Sequence, residues 1–149
     1  TGLDKGWRGG PMELQRVAYR AQVRLARERQ LPLIVHCVKA HGACLAALEE
    51  EGFLAPGSPG GMVHDFGGPV EMISGWVEAG FFLSISPRAL DRVEVLRAIP
   101  AERLLIETDD EGLDRLPQVC SAVARARNEE PARVAQVTES NARQLFGLL

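Results

Sequence analysis

"LPLIVHC", Leu31–Cys37, sets three aliphatic residues in a row and then ends in an imidazole, His36. The run is too short for a helix of its own, and no polar residue alternates with the apolar ones. Strands buried on both faces of a parallel sheet read this way. The pattern returns in "MVH" (residues 62–64), "FFLSIS" (81–86) and "RLLIETD" (103–109). Between these runs lie segments with helical spacing, "ACLAALEEEG", "PVEMISGWVEAG" and "RALDRVEVLRAI". Gly52 stands where a helix C-terminus wants a left-handed residue. Two further helical stretches, "LPQVCSAVARARNEE" and "PARVAQVTESNARQLFGLL", close the chain, with Pro131 suited to a first turn.

Working back from Leu31, Pro32 stops a helix that Pro11 can open. Within residues 12–30, Leu14, Val17, Ala18, Ala21 and Leu25 share one face, the expected buried stripe. "TGLDKGWRGG" ahead of it reads as a turn. The order is therefore helix, four strand-plus-helix units and a last helix, an α/β class with parallel strands alternating with helices. Nothing splits residues 1–149 into two domains. Periodicity leaves a closed barrel and an open sheet equally open.

Parallel strands point one way, so their C-terminal ends share a rim, where such folds place their chemistry. Here the ends are His36, His64 and Asp109, with Ser84 and Ser86 on the remaining run. Two imidazoles and a carboxylate are ligand types for zinc or a similar divalent ion. The chain has three histidines, and two of them end successive runs. Metal binding by His36, His64 and Asp109 is the expectation. His41 is expected to be solvated.

Glu107, Asp109, Asp110 and Glu111 crowd together at the last strand end. Carboxylates this close repel, so the run is either a solvated loop or has something positive among it. Asp110 and Glu111 are placed in the first turn of the element after this strand, because a helix start favours negative charge. Competing motifs fail. "GSPGG" and "DFGG" lack the Gly-Lys-Ser/Thr of a phosphate loop, and there is no G-x-S-x-G elbow. Cys37 is next to His36 on a strand, so the two point to opposite faces. Trp7, Trp76 and Phe66 are assigned to packing, with Phe66 also a candidate for lining a substrate cleft.

The bulk numbers weigh against some classes without excluding a nucleic-acid substrate, since a bound metal or a local arginine cluster can supply positive charge. A net charge of −3 and a pI near 5.6 give no global basic field for nucleic acid or anionic membrane. Cys37, Cys44 and Cys120 form no C-x-x-C pair and no disulfide framework, so a reducing cytoplasm is the expected setting. No apolar run is long enough to span a bilayer.

Taken in order, "TGLDK", "LPLIVHCVKAHG", "GMVHDFGG", "GFFLSIS", "IPAERLLIETDD" and "VTESNARQLFG" resemble the TatD family of metal-dependent hydrolases, many of them deoxyribonucleases, within the amidohydrolase-like TIM barrels. The resemblance runs the length of the chain. It implies hydrolysis of phosphodiesters at DNA ends with two divalent ions (zinc, magnesium or manganese). His36, His64 and Asp109 are then ligands, and Asp109 is also the general base. Family members open with a strand ending in His-x-His and carry a glutamate ahead of the Gly-Leu-Asp turn. Neither is in this sequence, and Asp110-Glu111 replaces a common Ala-Pro or Ser-Pro. The expectation is therefore the C-terminal part of a (β/α)8 TIM barrel lacking the first strands. It would be completed by an N-terminal segment or a second chain and would bind metal weakly by itself. Two alternatives stand beside it: a metal hydrolase of a non-nucleic substrate, and a non-catalytic α/β interaction module or inactive barrel fragment.

Overall fold

A computed structural model describes residues 1–6 and 10–148; Trp7, expected to pack, lies outside them. Five strands form one parallel sheet, β1 (Gly2–Asp4), β2 (Leu33–Val38), β3 (Gly61–His64), β4 (Phe81–Ile85) and β5 (Leu104–Ile106). The helices are α1 (Met12–Arg29), α2 (His41–Glu50), α3 (Glu71–Glu78), α4 (Val93–Ala98), α5 (Leu116–Arg127) and α6 (Pro131–Phe146). Every strand pairs with the next in sequence, in the order β1-β2-β3-β4-β5. A doubly wound sheet reverses its order at a switch point, whereas the wall of a (β/α) barrel does not. That settles what periodicity left open: the sheet is a stretch of barrel wall.

One strand more is present than the apolar runs predict. Gly2–Asp4 pairs with His36–Val38, and its single apolar residue, Leu3, is buried. The backbone supplies what the side chains do not, through His36 N–H to Thr1 O (2.6 Å) and Lys5 N–H to Val38 O (3.0 Å). The expected helix over residues 88–99 is also broken, into a single 3-10 turn at Pro87–Ala89 and α4.

Strand alternation sorts the sheet into two faces. Leu3, Val35, Cys37, Val63, Phe81, Leu83, Ile85 and Leu104 enter the main core with the helices. Met62, Phe82 and Leu105 lie on the other face, where Leu145 of α6 packs on them. The register places Ile34 beside Met62 and His36 beside His64, so both histidines stand on this second face. Cys37 is buried on the first, away from His36 as expected, with its sulfur 3.7 Å from that of Cys44.

The expected inner stripe of α1 faces outward. Tyr19, Val23 and Ala26 are buried instead, while Leu14, Val17 and Leu25 are exposed. The helix carries two apolar stripes, and the aromatic one takes the sheet. His41 is likewise not solvated. It is buried at the start of α2, where its Nδ1 accepts a hydrogen bond from Trp76 Nε1 (3.0 Å) and its ring meets Phe66 edge-on. Gly68 makes this possible, since a Cβ there would come within 2.7 Å of His41 Nε2. Phe66 is fully buried in this layer, so it packs and lines no cleft.

Asn141, within the terminal "SNARQLF", ties α6 to the sheet. Its Nδ2 donates to Ala101 O and Leu104 O, both at 2.8 Å, at the start of β5. Asn141→Ala leaves these carbonyls without that donor and should cost about 2 kcal/mol. Urea denaturation will show it as a lower midpoint with an unchanged slope; a midpoint like the wild type would contradict this role.

Candidate metal centre

The parallel register brings the polar strand ends together. His36, two residues before the end of β2, and His64, the last residue of β3, sit side by side, with ring centroids 6.1 Å apart. His64 Nε2 lies 3.6 Å from Asp109 Oδ1, three residues beyond β5. All three expected residues thus reach one rim, and His36 and His64 share its face.

A second set of groups holds them in place. Glu107 Oε1 lies 2.9 Å from His64 Nδ1 and also accepts the Asp65 N–H (2.5 Å). With the Nδ1 proton directed at Glu107, a neutral His64 presents its Nε2 lone pair toward Asp109. His36 Nε2 stands 3.3 Å from Asp4 Oδ2, and the other Asp4 oxygen accepts the Gly6 N–H. That backbone hydrogen bond, with His36 alongside, holds the Asp4 carboxyl below its ordinary value.

The positive group among the crowded acids is Arg88, on the 3-10 turn after β4. Its Nη1 pairs with Asp109 Oδ2 and lies 3.5 Å from Asp65 Oδ2, and its Nη2 reaches Asp110 Oδ1 at 2.8 Å. Ser86 Oγ donates to Asp65 Oδ1 and accepts the Arg88 N–H. Asp65 and Asp109 both adopt left-handed backbone conformations, φ 46° and 51°. Such conformations strain a residue other than glycine by on the order of 1 kcal/mol or more and gather at functional sites. Asp110 and Glu111 are not in the first turn of a helix. They occupy a turn ahead of Leu113, where Asp110 meets Arg88 and Glu111 pairs with Arg115 at 3.1 Å.

The donor set suits a divalent ion. Two ligands of one tetrahedral zinc at bond lengths near 2.1 Å stand about 3.4 Å apart, close to the 3.6 Å between His64 Nε2 and Asp109 Oδ1. The Glu107–His64 contact is the carboxylate–histidine support that orients ligating imidazoles. Ser84 Oγ is buried at this part of the sheet without a hydrogen-bond partner. As the side chains stand, however, no three His, Cys, Asp or Glu groups among the described residues form a ready-made cage. Arg88 occupies the second oxygen of Asp109.

The sequence profile described as TatD related DNase matches residues 1–147. The chain belongs to the TatD family. A 3'-5' ssDNA/RNA exonuclease TatD of Citrobacter koseri is 34% identical over 160 residues, 93% of this chain and 60% of the relative. An uncharacterized metal-dependent hydrolase of Bacillus subtilis, YabD, is 32% identical over 97% of this chain and 62% of its own length. The crystal structure of YjjV, a TatD homologue of Escherichia coli K12, superposes with a TM-score of 0.86 at 25% identity. It covers 99% of this chain and 62% of its own. The chain spans about three fifths of the length of the curated relatives it matches. Its relatives are hydrolases, and no helix among the described residues is long and apolar enough to cross a membrane.

In this TatD chain, sequence reasoning missed Glu107, Asp65, Asp4 and Arg88. The acids carried a signal that went unused. Four carboxyl groups within five residues are settled either by water or by a cation, and "SPR" after "FFLSI" offers that cation at the same rim. The Arg88 hydrogen bond, with the charge of the same guanidinium, lowers the Asp109 pKa below the ordinary 3.8. A lowered carboxylate pKa stabilises the fold above 3.8, and that contribution is lost as pH falls through the lowered value. Arg88→Met should therefore move the Asp109 midpoint, read by carboxyl NMR titration, up toward 3.8. An unmoved midpoint would show that Arg88 does not hold this carboxylate.

Proposed function

We propose that this chain serves in a metal-dependent hydrolase that cuts phosphodiester bonds at nucleic-acid ends, within one continuous hydrolase domain over residues 1–149. His36, His64 and Asp109 are its ion ligands, and Asp109 is also the general base. The observation that carries this is His64: Glu107 engages Nδ1, while Nε2 faces Asp109 at 3.6 Å and the His36 ring lies alongside. The nuclease name of the Citrobacter relative supports the substrate class. A bound divalent ion supplies an acidified water and neutralises charge on the phosphate.

The chain's own residues do the rest. Glu107 fixes the His64 tautomer and ring plane. Asp109 stays ionised, so it can accept a proton. Met62, Phe82 and Leu105 form an apolar floor on the same face of the sheet. The charge that global composition denies to a nucleic-acid partner is supplied locally, by the ion and by Arg88.

A single-stranded oligonucleotide labelled at its 5' end, incubated with the protein and Mn2+, should shorten from its 3' end. EDTA should stop the reaction, and Asp109→Asn should slow it by about a hundredfold or more. Shortening that persists through both would overturn the proposal, and metal-dependent cleavage of a lactone or amide alone would redirect its substrate. The outward apolar stripe of α1 (Leu14, Val17, Leu25) favours a second proposal, a non-catalytic interaction module. Partner binding that is unchanged in the metal-free protein would select it.

A further inference from the structure

Arg88 does more here than a surface ion pair, which by itself contributes about 0–1 kcal/mol. One guanidinium is shared among Asp109, Asp110 and Asp65, carried by the stretches of chain after β3 and β5. Two of these aspartates are held in left-handed backbone conformations. Asp65 is pinned twice more, by Ser86 at Oδ1 and by Glu107 at its N–H. Its fixed placement leaves Oδ2 toward Arg88. The Arg88 side chain is half exposed and springs from a single 3-10 turn, so it can leave this position without disturbing the core.

The electrostatics give that movement a direction. Glu107, Asp65, Asp109 and Asp110 set four carboxylates against one guanidinium, a formal charge of 1 − 4 = −3 with neutral imidazoles. A divalent cation on Asp109 Oδ1 would lie close to the guanidinium on Oδ2, and the repulsion between the two cations weakens the Arg88 pairing. A phosphate group approaching the rim is repelled by the carboxylates and drawn to a guanidinium fork, whose donors match two phosphate oxygens.

We infer that Arg88 is a two-position residue: it pairs with Asp109 while no cation is bound, and it turns to the substrate phosphate once Asp109 is committed to a divalent ion. This deepens the proposal above and rests on it. Arg88 thereby competes with metal for Asp109 and recognises phosphate as a bidentate donor.

The test is calorimetric and needs no turnover. Mn2+ is titrated into the wild type, Arg88→Met and Arg88→Lys, and inorganic phosphate is then titrated into each Mn2+-saturated protein. Arg88→Met should bind Mn2+ about tenfold more tightly and phosphate about tenfold more weakly. Arg88→Lys keeps the charge but not the fork. It should bind Mn2+ as the wild type does, with phosphate affinity between the other two. In Arg88→Met, Mn2+ affinity that is unchanged or weaker, or phosphate affinity that is not reduced, overturns the inference and leaves the metal proposal standing. A wild type that takes up no Mn2+, or takes it up equally after His64→Ala, overturns both.

Discussion

Replacing His64 by alanine lowers the affinity of this chain for Mn2+ or Zn2+ by about a hundredfold or more. The loss has two sources. The imidazole nitrogen facing Asp109 disappears, and Glu107 loses the ring it orients. Glu107→Gln isolates the second source and should cost about tenfold to a hundredfold, the range found for groups that support a metal ligand. His64 is partly exposed at a strand end, so the fold itself should survive; circular dichroism and a urea midpoint near the wild-type value check that. Equal metal affinity in His64→Ala and the wild type would place any bound ion elsewhere.

Trp76→Ala should destabilise the fold by about 4–5 kcal/mol, a large part of a typical total of about 5–15 kcal/mol. Trp76 is fully buried, with its ring edge-on to Phe81 at 5.2 Å and to His41 at 6.2 Å. Truncation opens a cavity and removes the one hydrogen bond to the buried His41 Nδ1. Trp76→Phe restores much of the volume but no donor, which separates the two effects; it should cost about 1–3 kcal/mol. The consequence reaches the site. His41 begins α2 just after the β2 end that carries His36, so loosening this anchor should also weaken metal binding. Denaturant midpoints within about 1 kcal/mol of the wild type, on the order of a surface change, would contradict this packing role.

The sequence disclosed most where burial governs. Unbroken apolar runs mark strands covered by helices, and parallel strands must bring their ends to one rim, so His36, His64 and Asp109 could be placed there before any coordinates. β1 escaped because a three-residue edge strand with one buried side chain, Leu3, is held by backbone hydrogen bonds and leaves no periodic trace. The α1 face was misassigned because two apolar stripes run along that helix, and helical spacing cannot say which one meets a sheet. His41 looked solvated because its partners, Trp76 and Phe66, come from a different strand-helix unit. The supporting shell was hidden for a similar reason. Glu107 reaches Asp65 past the intervening β4, and Arg88 reaches Asp109 from the end of β4, contacts that exist only after folding. The left-handed backbone turns at Asp65 and Asp109 leave only a weak trace, because aspartate tolerates that conformation but is common in others.

If the two imidazole-tipped strands and the aspartate beyond β5 converge on one divalent cation, crystals grown with Mn2+ and measured at its absorption edge will show it most directly. An anomalous peak is expected about 2.0–2.3 Å from His64 Nε2, from an Asp109 oxygen and from a nitrogen of His36, with Arg88 withdrawn from Asp109. Metal-saturated crystals with no peak between these side chains, and with Arg88 still paired to Asp109, would contradict that convergence.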